Sequence, residues 1–128
     1  MISLGGWWLA RRLASRGTVG ATVQRPVVPR DLRIRVEVLN ASDVRGLARR
    51  ATLHLRDMGF DVVRYAGDDT RRDSTLILDR TGHPEWSRLA SKAMGGAPVQ
   101  LRPDTAGFVD LTVLVGRTWR APPQAFYP

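Results

Sequence analysis

The stretch IRVEVLNASDVRGLARRATLHLRDMGFDV, residues 34–62, decides the fold, because it writes a strand, a turn, an amphipathic helix, a stop signal and a second strand without interruption. Ile34, Val36 and Val38 alternate with Arg33, Arg35 and Glu37, the period of two that makes one sheet face apolar and the other polar. Asn40 and Ser42 follow, with side-chain oxygens suited to the free amides of a first helical turn, and Asp43 suits the positive end of a helix dipole. A helix is therefore expected to begin near Asp43. Val44, Leu47, Ala48, Ala51, Leu55 and Met58 recur at three- and four-residue steps as a buried stripe, while Arg45, Arg49, Arg50, Arg56 and Asp57 fall at other angles. Gly59 supplies the left-handed residue that commonly ends a helix.

Working outward, residues 60–65 are rich in β-branched and aromatic side chains and predict a second strand. The polar run 67–73 predicts a loop, and 74–79 a third strand. His83, Pro84 and Glu85 open a second helix, whose stripe is Trp86, Leu89, Ala90 and Ala93 and whose stop is Gly95 and Gly96. Residues 98–101 are a candidate short edge strand. Val109, Leu111, Val113 and Val115 alternate with Asp110, Thr112 and Leu114, so 108–115 predicts the last strand, ended by Gly116. The order β-α-β-β-α-β predicts an α+β fold of the split-βαβ, ferredoxin-like kind, a sandwich with two helices on one face of a mainly antiparallel four-stranded sheet. Strands 60–65 and 74–79 are joined by a loop too short for a helical crossover, so they are expected to pair as a hairpin.

Composition sets the limits. A chain of 128 residues, 43% hydrophobic, holds one domain with tails. Its segments read as 1–16, membrane-proximal or interfacial; 17–31, a linker with Pro26 and Pro29; 32–119, the domain; and 120–128, a proline-rich tail. The formal net charge of +8 is carried by arginine, since Lys92 is the only lysine. Such a charge favours polyanions, among them nucleic acid, anionic lipid and phosphate-bearing polymers; it is equally what a solvated basic surface or a GC-rich genome leaves. The absence of cysteine excludes disulfides, thiol catalysis and cysteine-based zinc sites. Residues 1–10 are apolar but short of the ~20 residues a spanning helix needs. Trp7 and Trp8 beside Arg11 and Arg12 match an interfacial belt or the outer edge of an anchor lying upstream or cut off.

VEVLNASDVRGLA, then GFDV, STLILD and VDLTVLVGRTW, together resemble the C-terminal domain family of LytR-type cell-envelope proteins. That family's pattern is a V-x-V-L-N-G strand and turn, a G-L-A helix, G-F-x-V and a closing D-x-T-V-x-L-G strand. Ala41 stands where the family usually carries glycine. The resemblance implies an extracytoplasmic module of the bacterial cell envelope, often attached to LytR-CpsA-Psr ligases that move glycopolymers to peptidoglycan and sometimes standing alone behind a membrane anchor. This chain is expected to be of the stand-alone kind, with no ligase activity carried over.

No side-chain set marks a catalytic centre. His54 sits on a helix among leucines, His83 at a helix start, and neither has a serine or carboxylate partner in pattern, so structural roles are expected and no enzyme activity is. Asp68, Asp69 and Asp73 lack the alternation and glycine of a calcium loop, and no glycine-rich loop carries a lysine, so neither a metal nor a cofactor is expected. Binding fits better. The turn 40–46 brings Asn40, Ser42 and Arg45 to one helix start, suited to a carboxylate, phosphate or sugar hydroxyl, although Asn40 and Ser42 also serve as plain caps. The open sheet face, with Arg33, Arg35, Glu37, Thr112 and Thr75, is the second candidate. The expected partners are cell-wall glycan or glycopolymer, or an envelope wall-assembly protein, with an anionic membrane surface a further candidate. A basic sheet backed by two helices is also the outline of an RNA-binding domain, the rival from another class. That rival needs stacking aromatics, which the first and last strands do not offer.

Overall fold

The computed structural model describes residues 26–122. Its elements are β1 (Arg35–Asn40), α1 (Leu47–Asp57), β2 (Asp61–Gly67), β3 (Leu76–Asp79), α2 (Pro84–Ala93), β4 (Val99–Leu101) and β5 (Leu111–Val115). They form an α+β fold with a five-stranded mixed sheet in the order β2-β1-β5-β3-β4. Strand β1 runs parallel to β2 and to β5, and β3 parallel to β4, while β3 and β5 are antiparallel.

This order corrects the ferredoxin-like expectation. Each βαβ unit, β1-α1-β2 and β3-α2-β4, keeps its two strands adjacent, and β5 joins the units by lying between β1 and β3. The expected hairpin between β2 and β3 is absent, because two strands separate them. A short loop excludes a helical crossover but not an extended strap. The three strand spacings from β2 to β3 come to ~14 Å, and residues 68–75 reach ~26 Å when extended. The strap bonds each strand end that it crosses: Asp68 N donates to Asn40 O, Arg72 N to Ala41 O, and Arg117 N and Thr118 N donate back to Arg72 O and Asp73 O. Gly116 lies directly beneath it, where a Cβ would meet the Ser74 carbonyl carbon at 2.3 Å.

The expected placement of both helices on one face holds. Val36, Val38, Leu111, Val113, Val115 and Ile77 are all fully buried, and the strand register puts them side by side on the face that the helices cover. Leu47, Ala48, Ala51 and Leu55 of α1 and Ala90 of α2 pack into the same core. His54 ties the helices together: its Nε2 lies 2.7 Å from the carbonyl oxygen of Ala93, and its ring packs against Trp119 with centroids 5.9 Å apart.

Helix α1 starts four residues after the expected Asp43, because Gly46 takes a left-handed conformation (φ 74°) at the helix entry. Asn40 and Ser42 brace the preceding loop instead of capping the helix. The Asn40 amide donates to Val44 O, its oxygen accepts from the Ser42 amide and hydroxyl, and Ser42 Oγ accepts from Val44 N. Helix α2 starts as expected with Pro84 in its first turn; ahead of it, buried Asp79 accepts from Thr81 N and Gly82 N. Strand β5 is shorter than 108–115: Phe108 is exposed, and Asp110 turns its carboxylate to the Arg35 amide at 2.9 Å. The candidate edge strand at 98–101 is β4. Ahead of β1, Val27 N and Val28 N both donate to Met58 O and Val28 is buried, so the compact unit includes this approach to the first strand. Trp7, Trp8, Arg11, Arg12, most of the linker and the aromatic end of the tail lie outside the described residues.

Candidate functional site

The face of the sheet away from the helices is uncovered by any described element. Alternation fixes what it presents. One row across the strands is polar: Arg64 Nη1 lies 3.3 Å from Glu37 Oε1, the Thr112 hydroxyl donates to Glu37 Oε2 at 3.2 Å, and Arg80 Nε donates to Thr112 Oγ1 at 3.1 Å. The next row toward the strap is apolar, Ala66-Leu39-Leu114-Leu76 in register across β2, β1, β5 and β3, with Leu78 beside it.

Those leucines, all half-buried, floor a groove of about 410 Å³. The strap residues Asp68, Thr70, Arg71 and Arg72 line it at one end, and Arg80, Gln100 and Arg102 at the other. Among the described residues, none of Arg71, Arg72, Arg80 and Arg102 is ion-paired with a carboxylate. Arg71 and Arg72 donate instead to the carbonyls of Asp68 and Ser74, and Arg80 to that of Arg102. Asp68 is the acidic member, and the Thr70 hydroxyl, which donates to its carboxylate, holds its pKa below the ordinary aspartate value. The groove is thus apolar below and cationic around the rim.

A smaller cleft of about 220 Å³ adjoins it over the strap, lined by Ser42, Asp43, Arg71, Arg72, Asp73 and Arg117. Arg71 and Arg72 line both. Strands β1 and β5 are parallel neighbours whose C-terminal ends meet here under the strap. In this cleft Arg117 is already committed to Asp73, at 3.0 Å.

The residues expected to bind do not gather at one place. Asn40 and Ser42 lie at the strap end of β1, where their polar atoms are used within their own loop. Arg45 is exposed, and its carbonyl accepts from Arg50. Arg35 begins β1 and Arg33 precedes it, ~17 and ~23 Å from Asn40 along the extended chain, paired with Asp110 and Asp61. Thr75 is buried, its hydroxyl accepting from Gly116 N. The arginines that do converge, Arg71, Arg72, Arg80 and Arg102, were legible only as charges in loops and at strand ends. Leu114 was legible as open-face, and the same alternation applied to residues 76–79 places Leu76 and Leu78 beside it.

This face carries no aromatic side chain among the described strand residues, so nucleotide bases have nothing to stack on. Among the described residues, no helix is long and apolar enough to cross a membrane. No curated protein and no solved structure matches the chain. A family model does: the one described as LytR cell envelope-related transcriptional attenuator matches residues 33–119, from the turn into β1 through the buried Trp119. The chain therefore belongs to that family, a small cell-envelope-associated domain not known as catalytic.

Proposed function

We propose that this domain is a non-enzymatic binding module of the bacterial cell envelope that holds phosphate- or carboxylate-bearing wall polymer on its open sheet face. The observation that carries the reading is the groove itself, four guanidinium groups without carboxylate partners among the described residues, set around a leucine floor on a sheet face that no described element covers. Guanidinium groups bind phosphate and carboxylate through paired N–H donors, and the apolar floor contributes where the polymer turns its carbon skeleton inward. Membership of an envelope family supplies the compartment in which such polymers are met.

The test is co-sedimentation of the full chain with wall sacculi that keep their attached phosphate-bearing polymers and with sacculi stripped of them by acid. The wild type should be retained on the first at moderate salt and released from the second. Replacing Arg71, Arg72, Arg80 and Arg102 together by glutamine should weaken retention about tenfold or more, since each charge-assisted contact is worth about 1.5–3 kcal/mol. Equal retention on stripped sacculi, or equal salt-sensitive binding to generic DNA, would reduce the arginines to general electrostatics.

A further inference from the structure

The two edges of the sheet differ. On β2 the Arg56 guanidinium donates to Val62 O at 2.9 Å, and the pairing with β1 shifts register between Val36 and Glu37. A capped carbonyl and an irregular ladder are devices that blunt an edge against further pairing. Among the described residues strand β4, at the other edge, has neither, and only its length of three residues limits it. Its ladder to β3 uses Pro98 O, which accepts from Ile77 N, and Arg102 N, which donates to Asp79 O, with Val99 opposite Ile77 and Leu101 opposite Asp79. In a parallel ladder with that register the N–H and C=O of Gln100 also face β3, so those of Val99 and Leu101 point outward from the sheet.

The side chains at this edge are equally uncommitted. Val99 and Leu101 project to the helix face, yet they stay 44% and 61% exposed, because α2 does not reach over them. Between them and α2 runs a groove of about 490 Å³, lined by Pro84, Ser87, Arg88, Ser91, Val99 and Leu101 among others. Its polar lining is mostly spoken for: Ser91 Oγ donates to Ala97 O and Ser87 Oγ to His83 O. Arg88 is exposed and, among the described residues, makes no ion pair.

We infer that the β4 edge takes up an extended segment of a partner protein as a sixth strand, seated between β4 and α2. The outward N–H and C=O groups of Val99 and Leu101 supply main-chain hydrogen bonds, and alternate apolar side chains of the segment enter the groove against those two residues. The unpaired Arg88 at the wall selects a segment with an acidic residue beside its apolar positions. This site lies on the opposite sheet face from the polymer groove and stands independently of it.

The probe is a fluorescein-labelled peptide of alternating valine and threonine flanked by glutamates, with a second peptide carrying lysine for glutamate. Each is titrated to millimolar concentration into the ¹⁵N-labelled full chain. The glutamate peptide should shift the amides of residues 84–91 and 99–101 and bind at least several-fold more tightly than the lysine peptide. Arg88→Glu should reverse that preference. Leu101→Pro removes the outward N–H while leaving the β3 ladder in place, and should abolish the shifts; Leu101→Ala, which keeps the N–H, should only weaken them. Absence of shifts at β4 with either peptide overturns the inference, as do shifts that survive Leu101→Pro. Shifts at 99–101 that grow with protein concentration alone would assign the edge to a second copy of this chain and overturn it too.

Discussion

The two faces of the sheet are built from the same strands and have opposite characters. On the helix side Val36, Val38, Leu111, Val113 and Ile77 exclude solvent completely. One residue away along the same strands, Leu39, Leu114, Leu76 and Leu78 are equally apolar but only half-buried. Burial of the first set holds the domain together; the second set retains apolar area that only a ligand or another chain would remove from water. Apolar character alone therefore does not identify the core here. What separates the faces is which one the helices cover, and the uncovered face is also where unpaired arginines collect.

Substitutions can break this contrast. The largest loss is expected from Leu111→Ala on the covered face, about 4 kcal/mol by urea denaturation, since a fully buried side chain on a central strand leaves a cavity with little room to collapse. Gly116→Ala should follow at about 3 kcal/mol, because the added Cβ meets strap backbone, which cannot swing aside as a side chain would. Leu114→Ala, on the open face of the same strand as Leu111, should cost only about 1 kcal/mol yet weaken retention on wall polymer. A cost equal to that of Leu111→Ala would erase the distinction between the faces. Arg45→Ala, exposed and outside both clefts, should change stability by less than ~0.5 kcal/mol and leave binding unaltered.

The smallest effect concerns pH. The Asp68 carboxyl titrates below its ordinary value in the folded chain, chiefly because the Thr70 hydroxyl bonds to its charged form. Its contribution to stability is therefore complete above the unfolded-state value and fades as pH falls through the folded one. Thr70→Val should raise the Asp68 midpoint, read by NMR, toward the ordinary aspartate range, with stability at neutral pH hardly moved. An unchanged midpoint would show that the hydroxyl does not hold the charge.

Much of the covered face was legible in advance. The alternation in 34–38 and 109–115 and the stripe from Leu47 to Met58 name the core residues that the structure buries, because both patterns are local consequences of backbone period. Strand order was not legible, since nothing local distinguishes a hairpin from a strap that crosses two strand ends. Gly116 held the one local trace, a glycine required by close approach of the strap backbone. Asn40 and Ser42 read as helix caps because loop bracing and capping use the same oxygens, and Gly46, left-handed at the true helix entry, decides between them. The groove arginines are spread from Arg71 to Arg102 and only the fold gathers them.

Polymer binding on the open sheet face is tested most directly by NMR titration of the ¹⁵N-labelled full chain with soluble poly(glycerol phosphate), a simple phosphate-bearing polymer. Shifts are expected at Leu39, across 68–72, 76–80 and 112–114, with the helix residues 47–57 silent. Shifts scattered over every exposed arginine, or confined to 42–45 with the leucine floor unmoved, would contradict it.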